Sequence, residues 1–590
     1  HAPKCLPFSI LCAKSVIKIR STIMERWNKK RYWMMAVCLL AAVSVTACAN
    51  DGAVNVNTAS KNDKSDTSVI LDEVADESGL FSKRDLGGEY DVSKCEHITL
   101  SDAGCTTDSR NVAIEGSRVT ITGEGDYLVS GSLSDGMITV DVDKTEKVQL
   151  VLDGVDISCA TSAVIYVKSA DKVFVTLPDA TENTLTNGGS FVAVDDNNID
   201  AVIFSKDDLT LNGTGKLTVN SPAGHGIVSK NDLVIAGGTY DITAASHGMT
   251  GKDSVAVADG DFRIQAGEDA IKSDNNDDDT MGSVHILGGT YRLSGGSDGM
   301  NALNEINISG GKIVVEQSGE GIEARIINIS GGEIDITSSD DGLNATDKRQ
   351  SAKEETADVQ KAADKKGGRG GVNDNDPEAS INISGGVLRV DAEGDGLDSN
   401  GYILVSGGEV YVTGPSHGGD AALDYGIDAT ITGGIVVAAG QGSMAQNFGE
   451  DSTQGSILVS TQEQNAAGSD ISLLDADGGE ILAWTMKKSY NSVTISCPEI
   501  KSDGSYTVKM GENTVDVAMD GLIYGQGFSF GGGKRGFGSG ERPGERPEGM
   551  PDFPDGEKPE GMPDFPNGER PGEMPEPPDM PNGEKMNRTE

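Results

Sequence analysis

Hydrophobic and polar positions alternate along much of this chain in short runs that repeat. Ile306-Asn307-Ile308-Ser309 leads into Gly310-Gly311 and then into Lys312-Ile313-Val314-Val315. Residues 327–336, 381–390 and 403–412 repeat the unit. Alternation with a period of two marks a strand with one buried face. The glycine pair predicts a tight corner, where φ > 0 or close backbone approach is needed. With the second glycine as marker, the copies fall at Gly215, Gly238, Gly260, Gly289, Gly311, Gly332, Gly386, Gly408 and Gly434. Their spacing of about 22 residues predicts a solenoid. The Leu-x-x-Leu-x-Leu spacing of a leucine-rich repeat is absent, and helix-period stretches are missing from the repeat. The expected fold is therefore all-β: a right-handed parallel β-helix of about 22 residues per coil.

Departures from the pattern delimit the domains. Residues 1–23 read as translated sequence upstream of a start at Met24. Residues 24–47 carry the pattern of a lipoprotein signal peptide: Arg26, Lys29, Lys30 and Arg31 precede a short apolar run. Val45-Thr46-Ala47-Cys48 resembles a bacterial lipobox, which makes Cys48 the expected lipidation site; an ordinary secreted chain is the plainer alternative. Residues 48–90 read as a polar linker. Residues 91–451 hold the repeat, interrupted by a strandless insertion at 347–378 that lengthens one gap from Gly332 to Gly386. Residues 452–520 lack the glycine pair but keep strand-like runs, as expected of a C-terminal β cap over an open edge. Residues 521–590 are rich in Gly and Pro, with Pro-Glu-Gly-Met-Pro-Asp-Phe-Pro repeated, and read as a disordered tail.

Charge changes the picture. There are 93 Asp and Glu against 48 Lys and Arg, a formal net charge of -45. Such a balance argues against a nucleic-acid partner. It fits a soluble surface, and it also fits divalent cations held by carboxylate oxygens. Aromatic residues make up only 5%, which suits a narrow core of aliphatic ladders. Cys95 and Cys105 are the most plausible disulfide pair by proximity, with Cys159 and Cys497 as buried thiols.

A second repeat carries the chemistry. His225-Gly226-Ile227, His247-Gly248-Met249, Asp269-Ala270-Ile271, Asp298-Gly299-Met300, Glu320-Gly321-Ile322, Asp341-Gly342-Leu343 and Asp395-Gly396-Leu397 recur in step with the glycine pairs. Asn301, Glu323, Asn344 and Asp398 stand two residues past the glycine in four copies, and Tyr425-Gly426-Ile427-Asp428 reads as an eighth. Carboxylates stacked at the coil spacing repel unless protonated or bridged by cations. Calcium takes six to eight such oxygens. The expected metal ligands are Glu268, Asp269, Asp274, Asp298, Asn301, Glu320, Glu323, Asp341, Asn344, Asp395 and Asp398. A solvated acidic edge without metal is the alternative. A lysine column, Lys206, Lys230 and Lys252, reads as offsetting the adjacent Asp207, Asp232 and Asp253. Lys272 is the one lysine placed to act as a base, if the protein is a lyase.

Residues 205–209, 226–233 and 267–275, with the repeated Ile-Ser-Gly-Gly strands, resemble a bacterial carbohydrate-binding domain-containing family, formerly a domain of unknown function. The resemblance covers about residues 90–520, and residues 496–506 look like that family's C-terminal part. It implies a calcium-binding parallel β-helix and an extracellular polysaccharide-binding protein, with cellulose and pectin-like acidic glycans as ligand classes. It also implies structural similarity to calcium-dependent pectate lyases. His225, His247 and Ala270 depart from the pattern, which puts metal binding by the first coils in doubt. The sequence thus predicts a non-catalytic, monomeric, calcium-dependent binder on the cell surface, touching the membrane through its lipid anchor only. A polysaccharide lyase and a structural adhesin are the alternatives.

Overall fold

The computed structural model describes residues 79–349 and 375–525. The leader, Cys48, most of the linker, residues 350–374 of the insertion and the tail from 526 lie outside the described residues. What is described is all-β, apart from short helical turns. Thirty-eight strands form one large, mostly parallel sheet, and four more form a separate antiparallel sheet.

The pairing has a rhythm of three. Each repeat contributes three strand segments, and each pairs in parallel with its counterpart in the next repeat. One run links Lys216–Ser221, Thr239–Ala244, Asp261–Ala266, Thr290–Ser294, Lys312–Gln317, Glu333–Ser338, Val387–Ala392, Glu409–Thr413 and Ile435–Gly440. A second places Ile306, Ile327, Ile381 and Ile403 in register, and beside them Ile308, Ile329, Ile383 and Val405. All eight side chains are buried. Their neighbours Asn307, Asn328 and Asn382 point outward and form an amide ladder: Asn382 donates to Asn328 at 2.9 Å and Asn328 to Asn307 at 2.8 Å. The alternation read from the sequence is thus inside against outside.

The core is not purely aliphatic. Tyr240, Phe262 and Tyr291 stack in one column, with ring centroids 5.1 and 4.7 Å apart. The two tyrosine hydroxyls donate to the carbonyls of Gly237 and Gly288, which satisfies their polar ends. The corner glycines behave as expected: Gly311 and Gly332 have φ of 92° and 90°. In the first copy the left-handed position falls on Gly213 instead of Gly215.

Both ends of the parallel run are finished differently from its middle. Residues 80–88, read from sequence as linker, lie against the sheet. Ser82 caps the helix Lys83–Gly87 through a reciprocal capping box with Asp85. Phe81 packs on Val234 and Ala256. Asp85 is buried, accepts a hydrogen bond from Thr210 at 2.5 Å, and pairs with Lys172 at 2.7 Å. At the other end Tyr490–Ser496 pairs antiparallel with Ile435–Gly440, which ends the parallel ladder. Asp470–Leu474, Glu480–Thr485, Ser505–Met510 and Asn513–Ala518 form the small sheet beyond it. Cys95, Cys105, Cys159 and Cys497 are all free thiols, so the expected Cys95–Cys105 bridge is not formed.

Candidate functional site: a buried carboxylate ladder

The third run of strand segments carries the acidic repeat. Parallel register aligns Thr250, Lys272, Asn301, Glu323, Asn344, Asp398 and Asp424. Beside this column stand Asp269, Asp298, Glu320, Asp341 and Asp395, whose carbonyls accept from the second residue of the motif one repeat earlier. That row continues to Ala421, so the eighth copy is Ala421-Ala422-Leu423-Asp424 rather than the expected 425–428. The motif glycine serves close packing here. A Cβ on Gly321 would sit 2.3 Å from the Gly342 carbonyl oxygen.

Two groups of three carboxylates result. Asp298, Glu320 and Glu323 each offer an oxygen within 4.8 Å of the others, and so do Asp341, Asp395 and Asp398. Asn301 lies in the first group and donates to Asp298 and Glu323, both at 2.6 Å. Asn344 lies between the groups and donates to Glu320 at 3.2 Å and Asp341 at 3.4 Å. Burial and like charge raise the carboxyl pKa values together. Burial, then Glu323 and Asp269, push Asp298 up to about 7. Burial and Asp298 push Glu320 up to about 7. Burial brings Asp341 to about 6 and Asp395 to about 8, and it holds Asp398 well above the ordinary range. Near neutral pH these groups need protons or cations.

The donor set suits a hard cation. Every side chain in the two groups offers oxygen. Glu320 Oε2 and Asn344 Oδ1 are buried without a hydrogen-bond partner, and both belong to the ladder. An unpartnered buried oxygen is costly, and a cation would satisfy it.

The first three expected ligands sit elsewhere. Asp269 is bonded to the Lys272 ammonium at 2.9 Å and lies 3.3 Å from His247 Nδ1. Glu268 pairs with His247 Nε2 at 3.1 Å. Asp274, its carboxyl raised by burial, faces Lys272 and Lys230. His225 and His247 stack at 4.9 Å and with Glu268 could crowd a metal. Their hydrogen bonds oppose that role. Each Nδ1 accepts a backbone N–H, from His247 and Asp269 respectively, at 3.1 Å. The neutral ring then carries its proton on Nε2 and has no lone pair there for a metal. The ladder therefore begins with imidazole rings that accept the next repeat's backbone N–H and continues with carboxylates that do the same. The change falls at Lys272, which shares its column with Asn301.

The expectation for the lysine column is met only in part: Asp253 helps to hold the Lys252 charge, but the close partner is another carboxylate. Lys252 pairs with Asp277, in the loop after Lys272, at 2.5 Å. Lys230 lies 5.3 Å from the centroid of Phe204. Asp207 pairs with Lys144, Asp232 accepts from Ser254, and Asp253 accepts from Asn275. Sequence reasoning also missed one aromatic pair, Tyr411 and Trp484, stacked at 4.2 Å across the junction of the two sheets.

An all-β chain with a buried oxygen ladder is the class that fold and site define. Residues 115–365 match the family model described as carbohydrate-binding domain-containing protein. A carbohydrate-binding domain-containing protein of Acetivibrio thermocellus is 45% identical over 128 residues, 21% of this chain and 45% of that protein. The match thus spans less than half the length of that curated relative. A solved structure described as the polysaccharide lyase-like protein from C. thermocellum, gadolinium derivative, shares 33% identity over 41% of this chain and 94% of its own, with a TM-score of 0.36. Over residues 115–365 the chain is thus similar to the carbohydrate-binding domain-containing family.

Proposed function

We propose that this protein is a non-catalytic polysaccharide-binding protein of the cell surface, held outside the membrane by a lipid on Cys48 and dependent on calcium. Its three-segment repeat is read as the coil of a right-handed parallel β-helix. The observation that carries the proposal is the pair of three-carboxylate groups in a chain similar to the carbohydrate-binding family. Asp341, Asp395, Asp398 and Asn344 would hold a cation, and Asp298, Glu320, Glu323 and Asn301 form a second set of the same kind, with the Lys348 ammonium against Glu323. The cation would supply a positive centre for carboxylate or hydroxyl oxygens of a glycan.

Acidic, pectin-like glycans suit this reading better than cellulose. A protein of net charge -45 repels a polyuronate unless cations bridge the two. Tyr411 and Trp484 stack on each other instead of forming a coplanar row for a flat cellulose face. For the lyase alternative, Lys272 is a poor base: its ammonium is tied to Asp269, and its side chain is 19% exposed. The test is retention of the full chain on polygalacturonate, pectin and cellulose, with calcium and with chelator, while unsaturated product is followed by ultraviolet absorbance. Calcium-dependent retention without product supports the proposal. Product lost in Lys272→Met would establish a lyase. Calcium-shifted melting without retention would leave a structural adhesin.

A further inference from the structure

The two carboxylate groups differ in one respect. The first has a cation of the protein's own. Lys348, three residues past the strand Leu343–Ala345, sets its Nζ against Glu323 Oε2 and 3.9 Å from Asp298 Oδ2. Glu323 and Asp298 have side chains only 2% and 8% exposed, whereas that of Lys348 is 49% exposed. The ammonium therefore enters the group from the solvent side. Its backbone is held by its neighbour. Arg349 is buried, donates to the Leu303 carbonyl at 2.9 Å and to Asp279 at 3.2 Å, and lies 3.6 Å from Asp347. Among the described residues no lysine or arginine reaches Asp341, Asp395 or Asp398 in the same way.

An ammonium and a divalent ion compete for the same oxygens. Lys348 brings one positive charge where calcium would bring two, and it satisfies one carboxylate closely rather than six to eight oxygens. It is tethered, however, and its local concentration is high and fixed. We propose that Lys348 is a built-in competitor for the divalent cation. It reserves the Asp298, Glu320 and Glu323 group, so that uptake falls first on Asp341, Asp395 and Asp398. A further cation enters the first group only when Lys348 withdraws. This rests on the calcium reading given above.

Calcium titration calorimetry on the full chain tests it, with circular dichroism as the check on folding. Lys348→Met is expected to bind one more equivalent of calcium than the unaltered protein, and Lys348→Arg to match the unaltered protein. Asp398→Asn alone should lose the uptake seen in the unaltered protein. Asp398→Asn combined with Lys348→Met should recover one equivalent. Equal stoichiometry in Lys348→Met and the unaltered protein, both folded and both binding calcium, overturns the competitor role and leaves the calcium reading standing. Absence of calcium binding in every variant overturns the calcium reading and this inference with it.

Discussion

The backbone N–H of Asp395 donates to Asp341 Oδ1 at 2.7 Å, although 54 residues separate them. The chain leaves the ladder after Ala345, passes through the insertion, and returns one step further along it. Continuity of the ladder across that gap brings Asp341, Asp395 and Asp398 together, and the resulting repulsion has a pH signature. Asp298, Glu320, Asp341 and Asp395 have folded pKa values of about 7, 7, 6 and 8. These lie above the unfolded value near 4. A raised folded pKa means that the folded state holds its proton more tightly, so the stability is present below about pH 4 and is lost as pH rises through the folded values. In chelator, the melting temperature should fall as pH goes from about 5 to about 8. Saturating calcium should flatten that fall, and thermal melts across the range would show it.

Neutralising one carboxylate should have opposite effects with and without metal. Asp398→Asn removes the need to charge or protonate a buried carboxyl among like charges, so in chelator, at a pH above the raised carboxyl values, it should stabilise. In calcium it should lose the ligand-linked stabilisation, which is about 2.7 kcal/mol at a hundredfold excess over Kd. Paired denaturant titrations would reveal the crossover; parallel shifts of the same sign would argue against a cation site.

The motif glycine is needed for backbone approach. Gly321→Ala would press a methyl group on the Gly342 carbonyl oxygen and on Ile336, both under 2.5 Å away. A loss of about 1–3 kcal/mol is expected. Gly419→Ala, with nothing within 4 Å, serves as the neutral control in the same urea titration.

The N-terminal latch should be energetically substantial. Asp85→Ala strips the buried partner from Lys172, whose own side chain is 15% exposed. The expected cost is about 3–5 kcal/mol. Asp85→Asn keeps the Thr210 contact and should cost less. Proteolysis near residue 90 would track the loss.

The parts of this fold that sequence could read are those set by local periodicity. Ile306 and Ile308 announce the buried columns, and Gly311 announces the corner, because each depends only on its own neighbours. Asp298, Glu320, Asp341 and Asp395 were legible because their spacing matches the strand register. The roles of Glu268, Asp269 and Asp274 were not, since their neutralisation depends on His247, Lys272 and Lys230. A signal existed: Lys272 stands two residues past Ala270, as Asn301 stands two past Gly299. The latch at Phe81 and Asp85 was hidden by its polar surroundings, though Ser82 with Asp85 is a capping pattern. Trp484 meets Tyr411 only through the pairing of distant strands, which periodicity does not encode. The Asp341–Asp395 contact was inferable from spacing alone, once 32 residues of insertion were set aside.

The central claim is a calcium-bridged glycan surface. Its most direct test is retention of the full chain on polygalacturonate at fixed ionic strength, first with calcium and then with chelator. Retention in calcium that is abolished by chelator and weakened in Asp398→Asn is the predicted result. Equal retention in both conditions, or none in either while calcium still binds, would contradict it.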